Sequence, residues 1–426
     1  MASRQYDLVV YGATGFTGEL ICEYIIEQKD KDLKWALAGR NLSKLEKTKQ
    51  HLTTFDESLK DIDLIIADAS NPDSLDAFLC KTKVVIATVG PFINYGTPLV
   101  EACLRQKTHY VDITGEYNWI KQLIDKYHDQ AQNDNVMIVP ACGFDSVPSD
   151  LGTFMVVDYL RKQHNLDTAE TKLSLVKVNG GVSGGTIQTT VQSLGDRSLS
   201  ATDNMDPYLL ASQRGQDKPY VPCLYRDYDF GGKWQAFFIM SVINEKVVHR
   251  SWSLYADRGQ SYGKLFKYRE SMVMRFLPAL LLTSVLLTVM PLASVLLKFD
   301  FFRRMAAKIL PAGGSGPDRE KREQGFFEMH VVANADTEPY DPAVRVRGIV
   351  KGFRDPGYGD TCRMVTESAL CIVKSLDSLP GKQGGILTPA SAFGQVLIER
   401  LTHNGEWYLK YPISLVRYSL TSLVGL

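Results

Sequence analysis

The chain has 426 residues, more than one ordinary hydrophobic core holds, so two or three domains are predicted. Its 48 basic and 48 acidic residues give a formal net charge of zero, and no overall positive field favours nucleic acid as a partner. Seven cysteines without a Cys-x-x-Cys pair, in a sequence whose start shows no secretory leader, indicate a reducing compartment.

The first 150 residues alternate short β-branched runs with longer amphipathic stretches, which is typical of βαβ units and a mostly parallel sheet. The predicted strands are Asp7–Tyr11, Lys34–Gly39, Asp63–Ala67, Val84–Val89, His109–Ile113 and Val136–Pro140. The predicted helices are Gly15–Glu27, Leu42–Thr53, Pro72–Leu79, Pro98–Lys107 and Tyr117–Asn133. This α/β order predicts a Rossmann-type doubly wound parallel sheet as a dinucleotide-binding domain over 1–150.

A glycine-rich turn follows the first predicted strand and opens the first helix. The residues expected to contact the dinucleotide there are Gly12, Ala13, Thr14, Gly15, Phe16 and Thr17. Gly12 and Gly15 let the backbone approach a pyrophosphate, whose charge the helix N-terminus attracts, and Gly18 lets the helix pack closely on the strand. The G-x-x-G-x-x-G spacing is a variant of the usual motif, and a merely structural tight turn is the alternative.

The residue at the end of the second predicted strand indicates whether the cofactor is NAD or NADP. An NAD enzyme usually presents an acid there to the ribose 2′-hydroxyl, whereas this chain has Arg40. With Asn41 and Lys44, Arg40 would bind a 2′-phosphate through its planar fork. We therefore predict NADP, with NAD as the second choice; the alternative is that Arg40 is only a solvated charge at a helix start.

Further cofactor contacts are expected at the ends of the third and fourth strands. Asp68 is placed for the adenine amino group, and a cap for the following turn is the alternative. Val89, Gly90 and Pro91 would approach the nicotinamide ribose at the carboxyl edge of the sheet, unless they form an ordinary turn.

A nicotinamide-dependent reductase would also need a proton donor near the nicotinamide, and the sequence does not identify one. Tyr110, Asp112, Glu116 and Asp145 each follow or end a predicted strand at the ligand edge, but turn capping explains each of them as well. The catalytic residues stay unassigned. The seven histidines form no metal-binding set with cysteine, so no metal site is predicted.

Beyond Ser149 the runs alternate between apolar and polar residues, which favours a second α+β domain over 151–388 with a mainly antiparallel sheet. The predicted strands are Lys172–Val178, Trp234–Ile243, Val247–Tyr255, Phe326–Asn334 and Ala343–Gly352. In the remaining part, 389–426, we expect the helix Ala390–Thr402 to pack back on the first domain.

The segment Phe276–Leu297 carries no charge and has about the 20 residues that cross a bilayer as a helix. A single crossing of the bilayer would place the strands predicted before and after this segment on opposite sides of the membrane. Basic residues flank both ends, namely Arg269, Arg275, Lys298, Arg303, Arg304 and Lys308. We predict a re-entrant or interfacial anchor on the cytosolic face of a lipid droplet or organelle membrane; a buried core helix, or an oligomer interface of a homodimer, is the alternative.

Several stretches resemble the saccharopine dehydrogenase-like oxidoreductases. They are Val89–Phe92, Tyr110–Glu116, Cys142–Asp150, Gly180–Thr186, Gly316–Pro317 and Thr388–Gly394. The chain is more similar to the lipid-droplet-associated eukaryotic members and the mycobacterial trans-acting enoyl reductases than to the lysine-pathway enzymes, whose substrate-binding arginines have no assignable counterpart. The resemblance implies an NADP-dependent reductase of a lipid-like substrate. A non-catalytic, cofactor-binding droplet protein and a soluble amino-acid dehydrogenase are the alternatives.

Overall fold

The structure is a computed structural model that describes residues 4–180, 201–219, 223–296, 316–338, 343–403 and 407–410, together with 299, 301, 302 and 305. Most of the stretch Gly180–Thr186, the basic residues at 298, 303, 304 and 308, and everything after 410 lie outside the described residues.

The strands form two sheets. In chain order they are β1 (Tyr6–Tyr11), β2 (Trp35–Gly39), β3 (Leu64–Ile66), β4 (Thr82–Ala87), β5 (His109–Asp112), β6 (Met137–Val139), β7 (Thr168–Asn179), β8 (Tyr225–Asp227), β9 (Lys233–Ala236), β10 (Lys267–Val273), β11 (Phe326–Ala335), β12 (Arg345–Gly352), β13 (Gly385–Ile386) and β14 (Trp407–Lys410).

The helices alternate with these strands in the first domain. In chain order they are α1 (Phe16–Glu27), α2 (Leu42–Thr53), α3 (Pro72–Leu79), α4 (Phe92–Gln106), α5 (Tyr117–Asn133), α6 (Val147–Tyr159), α7 (Ala201–Met205), α8 (Ser241–Asp257), α9 (Phe276–Leu296), α10 (Arg319–Glu323), α11 (Thr361–Ser375) and α12 (Pro389–His403).

The first sheet has the order β13-β6-β5-β4-β1-β2-β3, and its strands are parallel throughout. Leu8, Val9 and Val10 of β1 are completely buried, because helices cover both faces of a parallel sheet. The predicted Rossmann-type sheet is confirmed. Its seventh strand, β13, comes from near the end of the chain and was not predicted.

The second sheet has the order β14-β12-β11-β7-β10-β9-β8. Only the β7–β10 pair is parallel, so the sheet is mixed and mainly antiparallel, as predicted. Helix α12 packs against α6 and α11, and β14 beyond it extends the second sheet.

Three predicted elements were wrong. Val247–Tyr255 is part of helix α8, and the strand predicted to reach Ile243 ends at Ala236. Helix α8 is buried along almost its whole length, so it lacks the polar face that marks a helix in sequence. Helix α4 begins at Phe92 rather than Pro98, because the Glu116 carboxylate accepts hydrogen bonds from the first backbone N–H groups.

Helix α9 extends from the second sheet and exposes most of its apolar side chains. Leu277 and Leu281 are 72% and 67% exposed, whereas Ala279 is buried and the ring of Phe276 lies 4.9 Å from that of Trp234 on β9. The described part of α9 is therefore not a buried core helix. The strand before it is β10 and not Val247–Tyr255, but β10 and β11 do belong to one sheet. Among the described residues, no helix combines the length and apolar character needed to span a membrane.

Candidate functional site

The phosphate loop joins β1 to α1, and each of its glycines is required for a different reason. Gly12 has φ +96°, and a Cβ there would lie 2.5 Å from Thr88 Oγ1. At Gly18 a Cβ would lie 2.2 Å from the carbonyl oxygen of Gly12, so this glycine sets how closely helix and strand pack. Gly15 is exposed at the helix N-terminus and is crowded only by Gly12 O at 3.3 Å. The loop therefore offers an open helix N-terminus to an anion.

The residues predicted to select NADP lie beside this loop, between β2 and α2. Arg40 is exposed and has no ion pair among the described residues, which leaves its guanidinium group for a ligand phosphate. Asn41 caps α2, because its Oδ1 accepts a hydrogen bond from Lys44 N at 3.0 Å. Lys44 is exposed in the first turn of the same helix.

Asp68 closes a turn after β3. Its carboxylate accepts hydrogen bonds from the backbone N and the Oγ of Ser70, at 2.9 and 2.8 Å. The backbone hydrogen bond, followed by the hydroxyl, lowers the pKa of Asp68. The capping role weighed in the sequence is thus present, and contact with adenine stays a prediction.

The turn after β4 lies against the phosphate loop. Thr88 Oγ1 donates to the carbonyl oxygens of Tyr11 and Gly12 at 3.2 Å, and Val89 Cγ2 lies beside Gly12. The peptide bond between Gly90 and Pro91 is cis, and Gly90 is exposed. The two cofactor turns predicted from sequence therefore share one edge of the sheet.

Three of the four proton-donor candidates are occupied in supporting these turns. Glu116 accepts from Phe92 N and Ile93 N, at 2.9 and 2.8 Å. Asp112 accepts from Thr114 N, Ala141 N and the hydroxyl of Tyr110, and burial raises its pKa to about 7. Turn capping accounts for Glu116 and Asp112, and the hydroxyl of Tyr110 is bonded to Asp112.

Asp145 is different. No hydrogen bond or ion pair to its carboxyl group is present among the described residues, and the side chain is partly accessible between the buried residues Phe144 and Ser146. Burial alone raises its pKa to about 6.

A buried polar network, not foreseen from the sequence, lies behind Asp145. Ser146 Oγ donates to Asn244 Oδ1 at 3.1 Å, and Asn244 Nδ2 donates to Glu270 Oε1 at 3.1 Å. Ser149 Oγ also donates to Glu270, whose pKa burial raises to about 7. Ser146 is the N-cap of α6, Ser149 lies in α6, and Asn244 and Glu270 lie in α8 and β10, so no local sequence pattern joins these residues.

The second domain also contacts the phosphate loop. The ring of Phe16 meets that of Tyr358 edge-on at 4.8 Å, and the Arg322 guanidinium lies 5.5 Å from the centre of the Phe16 ring. Thr361 Oγ1 accepts a hydrogen bond from Phe144 N at 3.1 Å. Residues 322, 358 and 361 thus contact the loops at the carboxyl edge of the first sheet.

Among the described residues, no group of three or more His, Cys, Asp or Glu side chains is placed to hold a metal ion. The backbone N–H groups at the start of α1, with the exposed Arg40 beside them, fit a phosphorylated dinucleotide instead.

Comparisons with known proteins agree with this geometry. Residues 8–139 match the family model of the saccharopine dehydrogenase NADP binding domain. A Mycobacterium tuberculosis protein provisionally named a trans-acting enoyl reductase is 33% identical over 418 residues, covering 94% of this chain and 96% of its own. The trans-acting enoyl reductase of Mycobacterium ulcerans is 31% identical over 422 residues, covering 95% and 97%.

One solved structure shares the fold over nearly the whole chain. Saccharopine dehydrogenase (L-Glu forming) from Saccharomyces cerevisiae superposes with a TM-score of 0.56, covering 96% of this chain and 100% of that one, at 12% sequence identity. At this identity the likeness extends to the fold alone.

Proposed function

The chain belongs to the family of the mycobacterial trans-acting enoyl reductases, oxidoreductases with a saccharopine dehydrogenase-type NADP-binding domain, and we propose that it reduces a carbonyl or enoyl group of a lipid or lipid-linked substrate at a membrane or lipid-droplet surface. That it is an NADP-dependent oxidoreductase follows from the family. The nature of the substrate and the place of action are the proposal.

The cofactor half of the site is formed by this chain's own residues. The N–H groups at the start of α1 would hold the pyrophosphate, with Gly12 and Gly15 allowing its close approach. Arg40 would hold the 2′-phosphate. Gly90 and Pro91 would lie at the nicotinamide end, and the reduced cofactor would supply a hydride there.

The observation that supports a lipid substrate and a membrane surface is the exposed apolar surface of α9. Leu277, Leu281 and Leu292 are all more than 60% exposed, and they extend from a sheet of the substrate domain. Soluble proteins seldom leave so large an apolar patch to water unless it meets a membrane or a partner. Arg275 is exposed just before the helix, where it would face anionic lipid headgroups. Arg269, within β10, is also exposed and lies 3.9 Å from Glu170.

The relatives support the same chemistry. Their names describe reduction of an enoyl group, which needs a hydride and a proton on neighbouring carbons. A surface-bound enzyme would receive a poorly soluble acyl substrate directly from the lipid phase. We accordingly propose the cytosolic face of a lipid droplet or an organelle membrane as its location.

The test uses the purified full chain with three kinds of substrate. NADPH oxidation is followed with a long-chain enone in phosphatidylcholine vesicles and with a short soluble enone, and NADP⁺ reduction is followed with saccharopine, which a dehydrogenase would oxidise. We expect turnover with the vesicle-borne enone and much less with the other two. Turnover of saccharopine alone would favour an amino-acid dehydrogenase. Tight NADPH binding without turnover of any of the three would favour a non-catalytic, cofactor-binding surface protein.

A further inference from the structure

Three loops at the carboxyl edge of the first sheet are joined by hydrogen bonds. The Gly90–Pro91 turn is held by Glu116, which follows β5. The loop after β6 is held by Asp112 at the end of β5, which accepts from Ala141 N with its carboxylate and from Cys142 N with its carbonyl oxygen. The loop that carries Asp145 is therefore tied to the turn at which the nicotinamide end of the cofactor is expected.

Both neighbours of Asp145 are fixed by the second domain. Phe144 packs on Phe327 with ring centroids 4.9 Å apart and donates its N–H to Thr361. Ser146 is completely buried and bonded to Asn244. Because the main chain is anchored on both sides, the loop that carries Asp145 is held in place, and Asp145 itself is partly accessible.

Three charged groups on the elements around this loop are engaged in other contacts. Asp112 is bonded to Thr114 and Ala141, and Glu270 to Ser149 and Asn244. Asp360, next to Thr361, pairs with Arg363 at 2.7 Å. Burial is the one cause that shifts the pKa of Asp145.

We propose that Asp145 is the acid that faces the nicotinamide end of the site and delivers the proton of the reduction. The assignment rests on the proposed function. In the reaction the substrate double bond gains a hydride from reduced nicotinamide at one carbon and the carboxyl proton of Asp145 at the other atom. Asp145 would be left as a carboxylate and would take a proton back from water. With a pKa of about 6 it can do both near neutral pH.

A test independent of the substrate uses the charge of the nicotinamide ring. NADP⁺ and NADPH differ by one positive charge at that ring, so an ionised Asp145 next to it favours NADP⁺ and a neutral one does not. The ratio of the NADP⁺ to the NADPH dissociation constant should fall roughly three- to tenfold as pH rises from 5 to 8. Titration of the 2′-phosphate affects both nucleotides alike and cancels in the ratio.

The variants are Asp145→Asn and, as a matched loss of charge at the adenine end, Asp68→Asn. We expect Asp145→Asn to make the ratio independent of pH and Asp68→Asn to leave its pH dependence intact. Asp145→Glu, which keeps the acid, should retain a dependence with a shifted midpoint, and it serves if the asparagine variant does not fold.

The assignment would be overturned if the ratio did not vary with pH in the wild-type chain, or if it varied equally in Asp145→Asn. In either case NADPH would still bind, so the proposed function would stand. If neither nucleotide binds, the proposed function fails first and the role of Asp145 fails with it.

Discussion

Gly316 of the second domain lies against the ring of Phe16 in the phosphate loop, so closely that a Cβ atom at Gly316 would come within 2.1 Å of a ring carbon. Tyr358 and Arg322 also contact the ring, so a displaced ring would have to change these contacts as well. The cofactor loop and the substrate domain are therefore mechanically linked at this point.

We expect Gly316→Ala to displace the Phe16 ring and with it the N-terminus of α1. NADPH affinity should fall by about tenfold, a free-energy change of roughly 1.4 kcal/mol, with little change in the melting temperature. Fluorescence transfer from tryptophan to the nicotinamide measures the affinity. Glu320→Ala, an exposed change in the neighbouring helix α10, is the control. Wild-type affinity in Gly316→Ala would show that the ring adjusts freely.

The phosphate loop could be predicted from sequence because all of its determinants are local. A short β-branched strand, three glycines at fixed spacing and a helix lie within one βαβ unit. Arg40 could be placed beside this loop for the same reason, since it follows the end of the next strand, and its contact with the 2′-phosphate stays a prediction. The contacts of Gly316, Tyr358 and Thr361 could not, because they join residues hundreds of positions apart.

Helix α8 failed as a prediction because its polar residues are buried and paired rather than exposed. His249 Nε2 lies 2.9 Å from Asp217 Oδ2, and the Arg250 guanidinium donates to the carbonyl oxygen of Leu210 at 2.7 Å. With polar groups inside and apolar groups all round, the segment has no helical hydrophobic period. Val247, Val248 and Trp252 then favour a strand by propensity alone.

Substitutions at two glycines of the phosphate loop should affect NADPH binding and folding stability differently. Gly15→Asp places a carboxylate at the N-cap of α1, where it would accept a hydrogen bond from the first turn and hold or raise the melting temperature. The same charge repels the pyrophosphate, so NADPH binding should be lost by at least about a hundredfold.

Gly18→Ala, unlike Gly15→Asp, should lower the stability of the folded chain. Its Cβ meets the backbone of Gly12 at 2.2 Å, which no side-chain rotation relieves, so we expect the free energy of unfolding to drop by about 2 to 4 kcal/mol. Thermal unfolding of both variants makes the comparison. Equal destabilisation by the two changes would contradict the roles given to these glycines.

Arg40 should control the choice between the two nicotinamide cofactors. Arg40→Ser removes the cation expected at the 2′-phosphate, so NADPH affinity should fall by roughly ten- to a hundredfold while NADH affinity stays within about twofold. Arg105→Ser, which removes an exposed arginine paired with Asp76, should change neither. A parallel loss of NADH binding would mean that Arg40 supports the fold or the adenine ring instead.

The surface of α9 predicts lipid binding that depends on apolar side chains. The double variant Leu277→Ser and Leu281→Ser should lose at least about tenfold in affinity for phosphatidylcholine vesicles, by flotation, with only modest sensitivity to salt. Leu265→Ser, at an apolar residue 49% exposed outside the helix, should bind as the wild type does. If the wild type fails to float but the double variant turns a dimer into a monomer, α9 is an oligomer interface.

Glu270 should contribute to how stability depends on pH. Burial raises its pKa from 4.5 to about 7, so between these values the folded chain holds a proton that the unfolded chain has released. Its contribution to stability is complete below about pH 4.5 and is lost as pH rises through 7. Asp112 and Asp150, whose pKa values burial also raises to about 7, add to the same slope.

The wild-type chain should therefore melt a few degrees higher at pH 6 than at pH 8. Ser149, Asn244 and Tyr268 all donate to Glu270. Glu270→Gln keeps an acceptor oxygen for Ser149 and Asn244, and its amide can donate to the Tyr268 hydroxyl. It cannot ionise, so it should reduce this difference without abolishing it. Glu57→Gln, at a side chain that is 80% exposed, should leave it unchanged. A melting temperature that instead rises from pH 6 to pH 8, by the same amount in both variants, would mean that other groups govern the pH dependence of folding.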